Sequence, residues 1–231
     1  MSRYITDNEF GPIFVRRISS AKSFTFRVRE NMLHVSVPKF SKEEELIKTV
    51  DLLRPKLRNL LKVSRIEPIG LGFSYCSEWV SIETKRFDGE EYASFTNNRL
   101  IFHLNPAEDY SRLCFQRWIK NKLVHFLMLI AKEALPCMVE KEAKALGLTY
   151  SLVKVGRSRT QWGSCNSNDE ITLSCFLLLL PKNLVRYVIL HELAHLSEMN
   201  HSSVFWNLLD SYTQGNCASL MADLKKVKLP I

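Results

Sequence analysis

Alternating apolar and polar positions predict a small β-sheet near the start of the chain. Residues 23–29 alternate in this way and residues 33–37 do so again, with the period of two that is typical of a strand with one buried face. A helix is predicted at residues 41–63, because Ser41 is a good N-cap and acidic residues follow it in the first turn. Pro55 predicts a kink or a break within that helix.

The middle and the end of the chain predict more strands and several helices. Two or three strands are predicted at residues 79–104, and a long helix at residues 106–145 with an interruption at Pro136. Two short strands follow at residues 151–155 and 170–174, and the pattern from there to the end of the chain is helical.

The order of these elements predicts an α+β fold with two regions. Residues 1–104 form a β-rich N-terminal region with one helix, and residues 105–231 form a mainly helical core with a short sheet. The chain has 231 residues, of which 46% are apolar and 24% are charged. That composition is typical of a globular protein, and it excludes collagen-like, fibrous and intrinsically disordered chains.

Positive charge is concentrated in the first part of the chain. The formal net charge is +8, and residues 1–65 contribute +7 of it, with 14 Lys and Arg against 7 Asp and Glu. A basic region of this kind predicts an anionic partner, such as a nucleotide or a nucleic acid. The alternative is a solvated basic surface that has no partner.

The sequence predicts neither a membrane segment nor a secretion signal. The longest apolar runs, at residues 123–131 and 175–180, are shorter than the roughly 20 residues that span a bilayer. The N-terminal residues include acidic ones, where a signal peptide is apolar. The six cysteines are scattered and form no Cys-x-x-Cys pair, which argues against a disulfide framework and a zinc finger. We therefore expect a cytoplasmic protein.

Three of the six histidines lie within eleven residues. His191 and His195 are four residues apart in the run His-Glu-Leu-Ala-His, so on a helix they share one face and can bind the same metal ion. Glu192 lies about 100° round the helix, where it can reach a water on that ion without binding the ion itself. The spacing predicts a catalytic metal site, and two unrelated histidines beside a glutamate are the alternative.

A third ligand is expected at His201, six residues after His195. The helix must end between these two histidines so that the chain can return to the metal. Glu198 is an alternative third ligand, although seven residues of helix would place it about 10 Å along the axis from His191. Three protein nitrogens leave one coordination position open, as in a catalytic zinc site. We expect zinc to activate a water for attack on a carbonyl or phosphoryl centre, with Glu192 as the base.

Three segments of the sequence are similar to those of a known enzyme family. Residues 187–206 read YVILHELAHLSEMNHSSVFW, residues 160–181 read TQWGSCNSNDEITLSCFLLLLP, and residues 21–39 read AKSFTFRVRENMLHVSVPK. Together they resemble the YgjP-like metallopeptidase family, which is related to the SprT-like and WLM proteases. The resemblance implies a zincin-type α+β core in the C-terminal region, with the His-Glu-x-x-His helix as the active-site helix.

The resemblance also implies roles for individual residues. The implied zinc ligands are His191, His195 and His201, and Glu192 is the implied catalytic acid and base. The loop that begins near residue 160 is implied to border the cleft. This chain departs from the family in that loop, since Gln161 stands where the family commonly has Arg. Ser174 stands where the family tends to have Asn.

Arg157, Arg159 and Trp162 are the candidate substrate-binding residues, because they lie in or next to this loop. The expected function is that of a zinc-dependent metallopeptidase that acts on a peptide or protein. One alternative is a zinc phosphohydrolase that acts on nucleotides or nucleic acid and uses Arg157, Arg159 and Lys154 to bind phosphate. The other is a DNA-associated module whose basic N-terminal region binds phosphates.

Overall fold

The computed structural model describes residues 2–29, 31–64 and 67–229. The chain divides into two units, residues 1–67 and residues 68–231. Helices and strands are both abundant in the described residues, so the predicted α+β class is confirmed. The boundary expected between residues 104 and 105 lies inside the second unit.

The first unit is a four-stranded sheet with one helix packed on it. Its elements are β1 (Ser2–Asp7), β2 (Gly11–Ile18), β3 (Thr25–Arg29), β4 (Met32–Pro38) and α1 (Glu43–Ser64). The strand order is β1-β2-β4-β3, in which β2 and β4 are parallel and the other neighbours are antiparallel. Leu33, Val35 and Val37 share a hydrophobic cluster with Leu46 and Val50 of α1. The sequence predicts β3, β4 and α1, and the structure adds β1 and β2.

The second unit, as far as it is described, has two sheets and helices α2 to α5. Its strands are β5 (Ser74–Cys76), β6 (Ser81–Arg86), β7 (Tyr92–Thr96), β8 (Arg99–Leu104), β9 (Leu152–Gly156), β10 (Gly163–Cys165) and β11 (Glu170–Ser174). Its helices are α2 (Leu113–Leu146), a 3-10 helix (Cys175–Leu179), α3 (Lys182–Ala194), α4 (Ser203–Tyr212) and α5 (Cys217–Lys226). The strand orders are β5-β6-β8-β7 and β10-β11-β9.

One hydrophobic core joins strands β6 and β8 to helices α2 and α3. Ile82 on β6 and Phe102 on β8 are fully buried. They belong to the same cluster as Leu127 on α2 and Ile189 on α3. Because these strands and helices share one core, they form one unit, and the chain does not divide at residue 104.

Both long helices continue through proline residues. α1 contains Pro55 and α2 contains Pro136, and neither helix is interrupted. The predicted interruption at Pro136 is therefore wrong, as is a break at Pro55, whereas a kink at Pro55 stays a prediction. Leu135 and Val139, on either side of Pro136, are buried in the core. Burial of several such side chains along the helix outweighs the roughly 3 kcal/mol that a proline costs inside a helix.

The long helix α2 begins at Leu113, later than the predicted start near residue 106. The side chains of Asn105 and Asp109 each accept a hydrogen bond from the backbone N–H two residues further on, at 3.0 and 2.9 Å. Such Asx turns compete with helical backbone hydrogen bonding and so delay the helix. No helix in the described part of the chain is both long enough and apolar enough to cross a membrane.

Candidate metal centre

The three histidines predicted as metal ligands lie together at the end of α3. His191 is in the last turn of this helix, which ends at Ala194 and has His195 as its C-cap. The chain then turns and places His201 directly before Ser202, the N-cap of α4. Ligand nitrogens of the three imidazoles all lie within 4.8 Å of one another. Nε2 of His191 and Nε2 of His201 are 3.1 Å apart.

Backbone groups hold the turn between His195 and His201. The N–H of Glu198 donates a hydrogen bond to the carbonyl oxygen of Ala194 at 3.0 Å. The carbonyl oxygen of Glu198 lies 3.1 Å from Nδ1 of His195, and an N–H at Nδ1 leaves the lone pair of Nε2 for a metal. The converging ligand atoms do not include the carboxylate of Glu198. Glu198, the alternative third ligand, therefore orients His195 through its backbone.

A buried phenylalanine packs against all three imidazoles. Phe205, on α4, is fully buried, and its ring centroid is 4.5 Å from that of His195 in a stacked arrangement. Its ring also lies 4.7 Å from His201 and 5.0 Å from His191, edge to face in both cases. These contacts restrict the rotamers of the histidines, so the ligands are oriented before a metal binds.

The protonation states of the histidines suit a metal site. Burial, together with the neighbouring His195 and His201, lowers the pKa of His191 to about 4, and burial also lowers the pKa of His195. Neutral imidazole is the form that binds metals. Two nitrogens bound tetrahedrally to one zinc ion at about 2.0–2.1 Å lie about 3.3 Å apart, close to the 3.1 Å between His191 and His201. The residues present therefore fit an ion such as zinc.

Glu192 is buried next to the ligand group. The residue is 4% exposed, and its Oε2 has no hydrogen-bond partner among the described residues. Burial raises the pKa of Glu192 to about 8, whereas a divalent cation nearby favours the ionised carboxylate. Gly163 on β10 makes room for this side chain, since a Cβ atom at residue 163 would lie 2.6 Å from Oε1 of Glu192.

A cavity of about 320 Å³ lies beside His191 and Glu192. Its other lining residues come from β10, the loop before it and three helices: Trp162, Gly163, Tyr187, Val188, Trp206, Met221, Leu224 and Lys225. Most of these side chains are apolar or aromatic, so the cavity suits an apolar group. Lys225 adds a positive charge to the lining.

The three candidate substrate-binding residues lie in different surroundings. Trp162 lines the cavity. Arg157 and Arg159 are exposed, and neither belongs to the described lining of the cavity. The guanidinium carbon of Arg159 is 5.9 Å from the ring centroid of Phe176. A role in substrate binding stays a prediction for all three residues.

The sequence analysis does not select several residues that line the cavity. Tyr187 precedes His191 by four residues, so helical spacing alone could have placed it on the same face. Gly163 lies within the Trp-Gly-Ser-Cys segment, which is a signal for a close contact. Met221 and Lys225 have no local signal, because α5 lies far along the chain from α3 and reaches the cavity only through the tertiary fold.

A metal-dependent hydrolase is the class of protein that this combination of fold and site defines, because the candidate metal ligand His191 and the buried carboxylate of Glu192 border a cavity that can admit a substrate. Family comparison agrees with that class, since residues 22–226 match the family described as YgjP-like, metallopeptidase domain. The chain belongs to this metallopeptidase family, as its sequence resemblance implies.

Two solved structures are similar to part of the chain. The metallopeptidase zymogen jannalysin of Methanocaldococcus jannaschii is 20% identical, and the match covers 41% of this chain and 96% of jannalysin with a TM-score of 0.36. The metallopeptidase zymogen abylysin of Pyrococcus abyssi is 24% identical, and the match covers 41% of this chain and 98% of abylysin with a TM-score of 0.34. No curated protein matches the sequence.

Proposed function

We propose that the protein is a zinc-dependent metallopeptidase that hydrolyses peptide bonds at the site formed by His191, His195, His201 and Glu192. The observation that carries the proposal is the buried carboxylate of Glu192. Its Oε2 has no partner among the described residues, and Glu192 lines the same cavity as the ligand His191. A buried carboxylate without a partner is costly for stability, so its retention beside three metal ligands supports a chemical role.

The residues of the site have distinct tasks in this reaction. His191, His195 and His201 hold the ion through ring nitrogens. Zinc in such a site supplies Lewis-acid activation of a water and of a substrate carbonyl. Glu192 accepts the proton of the attacking water at its carboxylate and returns it to the leaving nitrogen. Phe205 holds the imidazoles in place and excludes water from behind them.

Strand β10 gives the substrate a backbone to pair with. It is the last strand in the order β10-β11-β9 and pairs only with β11 among the described strands. Gly163, at its start, lines the cavity and faces Glu192. An extended peptide can add to a free strand edge through main-chain hydrogen bonds. One of its side chains would then occupy the apolar cavity beside Trp162.

A zinc phosphohydrolase that acts on nucleotides is the second candidate function. The observation in its favour is Lys225, a cation in the lining of the cavity that could bind a phosphate. Against it, Arg157 and Arg159 do not line the described cavity. Lys154, another cation of this region, is paired with Glu170 at 2.8 Å. The apolar character of the remaining lining favours a peptide side chain.

The decisive experiment compares the wild type with Glu192→Gln on a panel of peptides, folded proteins and nucleotides. The substitution keeps the shape of the side chain and removes the base, so peptide cleavage should fall about 100- to 10,000-fold while zinc content is unchanged. Glu198→Gln is the matched control. It removes the same charge from the turn but leaves the carbonyl that orients His195, so activity should persist.

Each outcome of that comparison decides between the candidates. Wild-type protein that holds one zinc per chain and cleaves no peptide or protein would contradict the metallopeptidase proposal. Nucleotide hydrolysis that depends on Glu192 would establish the second candidate instead. Peptide cleavage that survives Glu192→Gln would assign the activity to another site or to a contaminant.

A further inference from the structure

The sheet of the first unit has one face against α1 and an opposite face that α1 does not cover. Leu33, Val35 and Val37 of β4 are buried in the cluster that contains α1, so His34 between them points to the opposite side. The strand register extends this side across the sheet. We name it the outer face and define it by six residues: Tyr4, Phe14, Arg16, Arg27, Arg29 and His34.

Three rings stand in a row across the outer face. Tyr4 on β1 is opposite Phe14 on β2, which is opposite His34 on β4. The ring centroids are 5.3 Å apart for Tyr4 and Phe14 and 4.9 Å apart for Phe14 and His34. Arg27 continues the row on β3. Because Tyr4 is 63% exposed, its ring offers a flat apolar surface to a ligand.

The charges of the first unit are separated between its two faces. Arginines on the α1 side are paired with carboxylates, as Arg3–Glu43, Arg54–Asp7 and Arg58–Glu9. On the outer face, Arg16, Arg27 and Arg29 are exposed and have no ion pair with any residue that the structure describes. The strand residues described on this face include no carboxylate. Its positive charge is therefore not neutralised by any carboxylate that the structure describes.

We infer that the outer face binds single-stranded nucleic acid. Bases stack on the ring of Tyr4 and on the exposed part of Phe14, and the arginines contact phosphates. Arg16 and Arg29 lie on opposite sides of the ring row, each one register step away from it. A nucleic-acid strand that crosses the row therefore meets a cation on each side. Aromatic rings beside arginines on an open sheet face are a general means of binding single strands.

The row of rings favours a single strand over other polyanions. Bases in a duplex already stack on each other and cannot reach a surface ring, and sulfated sugars or lipid headgroups have no aromatic face to stack. The inference rests on residues of the first unit, whereas the histidines and Glu192 of the candidate metal centre belong to the second. Three of the six outer-face residues, Tyr4, Phe14 and Arg16, precede residues 22–226, which match the metallopeptidase family.

The test measures binding of fluorescein-labelled oligo-U and oligo-dT of about 12 nucleotides to the full-length chain by fluorescence anisotropy at several salt concentrations. One triple variant removes the charge of the outer face: Arg16→Gln, Arg27→Gln and Arg29→Gln. The matched control removes three charges from exposed positions of α1: Lys48→Gln, Lys56→Gln and Lys62→Gln. Tyr4→Leu tests stacking, and circular dichroism checks that each variant is folded.

Single strands should bind the wild type more tightly than a duplex of the same length. The outer-face triple variant should weaken binding at least about tenfold and reduce the slope of log affinity against log salt by about 2, as expected for three phosphate contacts. The α1 control should weaken binding less than about threefold, because screening limits distant charges. Tyr4→Leu should weaken it at least about fivefold.

Three results would overturn the inference. If neither oligo-U nor oligo-dT binds at low salt, single-stranded nucleic acid is not a partner of this protein. Equal losses of affinity in the two triple variants would show that the net charge of the unit attracts the oligonucleotide and that the outer face does not bind it specifically. Tighter binding of the duplex than of either single strand would exclude stacking on the ring row. If Tyr4→Leu does not fold, the comparison of the two triple variants still decides the question.

Discussion

The close approach of Gly163 to Glu192 leads to a quantitative prediction for Gly163→Ala. A methyl group at residue 163 would lie 2.6 Å from Oε1, 2.7 Å from Cγ and 2.8 Å from Cδ of Glu192. Carbon atoms in ordinary contact are about 3.5–4.0 Å apart, so the carboxyl group must move by roughly 1 Å. Because Glu192 is buried, it cannot move freely away from the strand.

The expected consequence is a slow enzyme that still binds its metal. A displacement of roughly 1 Å at a catalytic group can lower kcat about 100-fold, while the three histidines keep their places and the zinc content stays at the wild-type level. Overpacking of a buried site should also lower the free energy of unfolding by about 1–3 kcal/mol. Steady-state kinetics measure kcat on a peptide whose cleavage the Glu192→Gln comparison has assigned to this site. Zinc analysis measures the metal content, and urea unfolding measures the free energy of unfolding.

Gly156→Ala is the matched control for this prediction. Gly156 lies on β9 of the same sheet, and a Cβ atom there would make an ordinary contact of 3.5 Å with Cγ2 of Thr172. The free energy of unfolding of this variant should change by less than about 0.5 kcal/mol, and its kcat should be that of the wild type. Wild-type kcat in Gly163→Ala would refute the reasoning, and so would a loss of zinc, because the clash would then act on the ligands.

Three further predictions concern the metal, the cavity and the first unit. Removal of zinc with a chelator should lower the Tm and re-addition should restore it, because a ligand that binds only the folded state stabilises it. Differential scanning fluorimetry measures the Tm, and in His201→Ala the Tm should change little when zinc is added. Lys225→Ala should raise KM about two- to fivefold for substrates with an anionic group near the scissile bond. Lys226→Ala should leave KM unchanged, because that ammonium lies outside the described lining and pairs with Asp223 at 3.0 Å. The hydrogen bond from Arg54 lowers the pKa of Asp7 from 3.8 to about 2, so the stability that this carboxylate contributes is present above pH 4 and lost as the pH falls from about 4 to about 2. Arg54→Gln should flatten that part of the stability curve in urea unfolding, and an unchanged curve would contradict the assigned cause.

Local spacing explains why the core of the candidate site is visible in the sequence. His191, Glu192 and His195 acquire their relative positions from the helix alone, since residues four apart on a helix share a face. The position of His201 depends on the turn after α3, and there the sequence indicates only that the helix must end. The hydrogen bond that orients His195 goes from its Nδ1 to the backbone carbonyl oxygen of Glu198, and side-chain identity carries no signal for such a backbone contact.

Strands were predictable where one local pattern dominates, whereas breaks within helices were not. β3 and β4 alternate cleanly between apolar and polar side chains, whereas β2 contains Gly11, Pro12 and the adjacent Arg16 and Arg17, which obscure its period. Pro55 and Pro136 are strong local signals for a break. Neither interrupts its helix, because the buried side chains around each proline stabilise the helix from outside it.

The sequence by itself determined the α+β class, the helix that carries the His-Glu-x-x-His run and the resemblance to a metallopeptidase family. Each of these depends on residues that are close along the chain, where spacing translates directly into geometry. Only the tertiary structure decided that Gly163 faces Glu192, that α5 contributes Lys225 to the cavity, and that a row of rings and three exposed arginines, without an ion pair among the described residues, share one face of the first sheet. These arrangements bring together residues that are distant in sequence. Helix packing and strand pairing, which depend on the whole fold, set the distances between them.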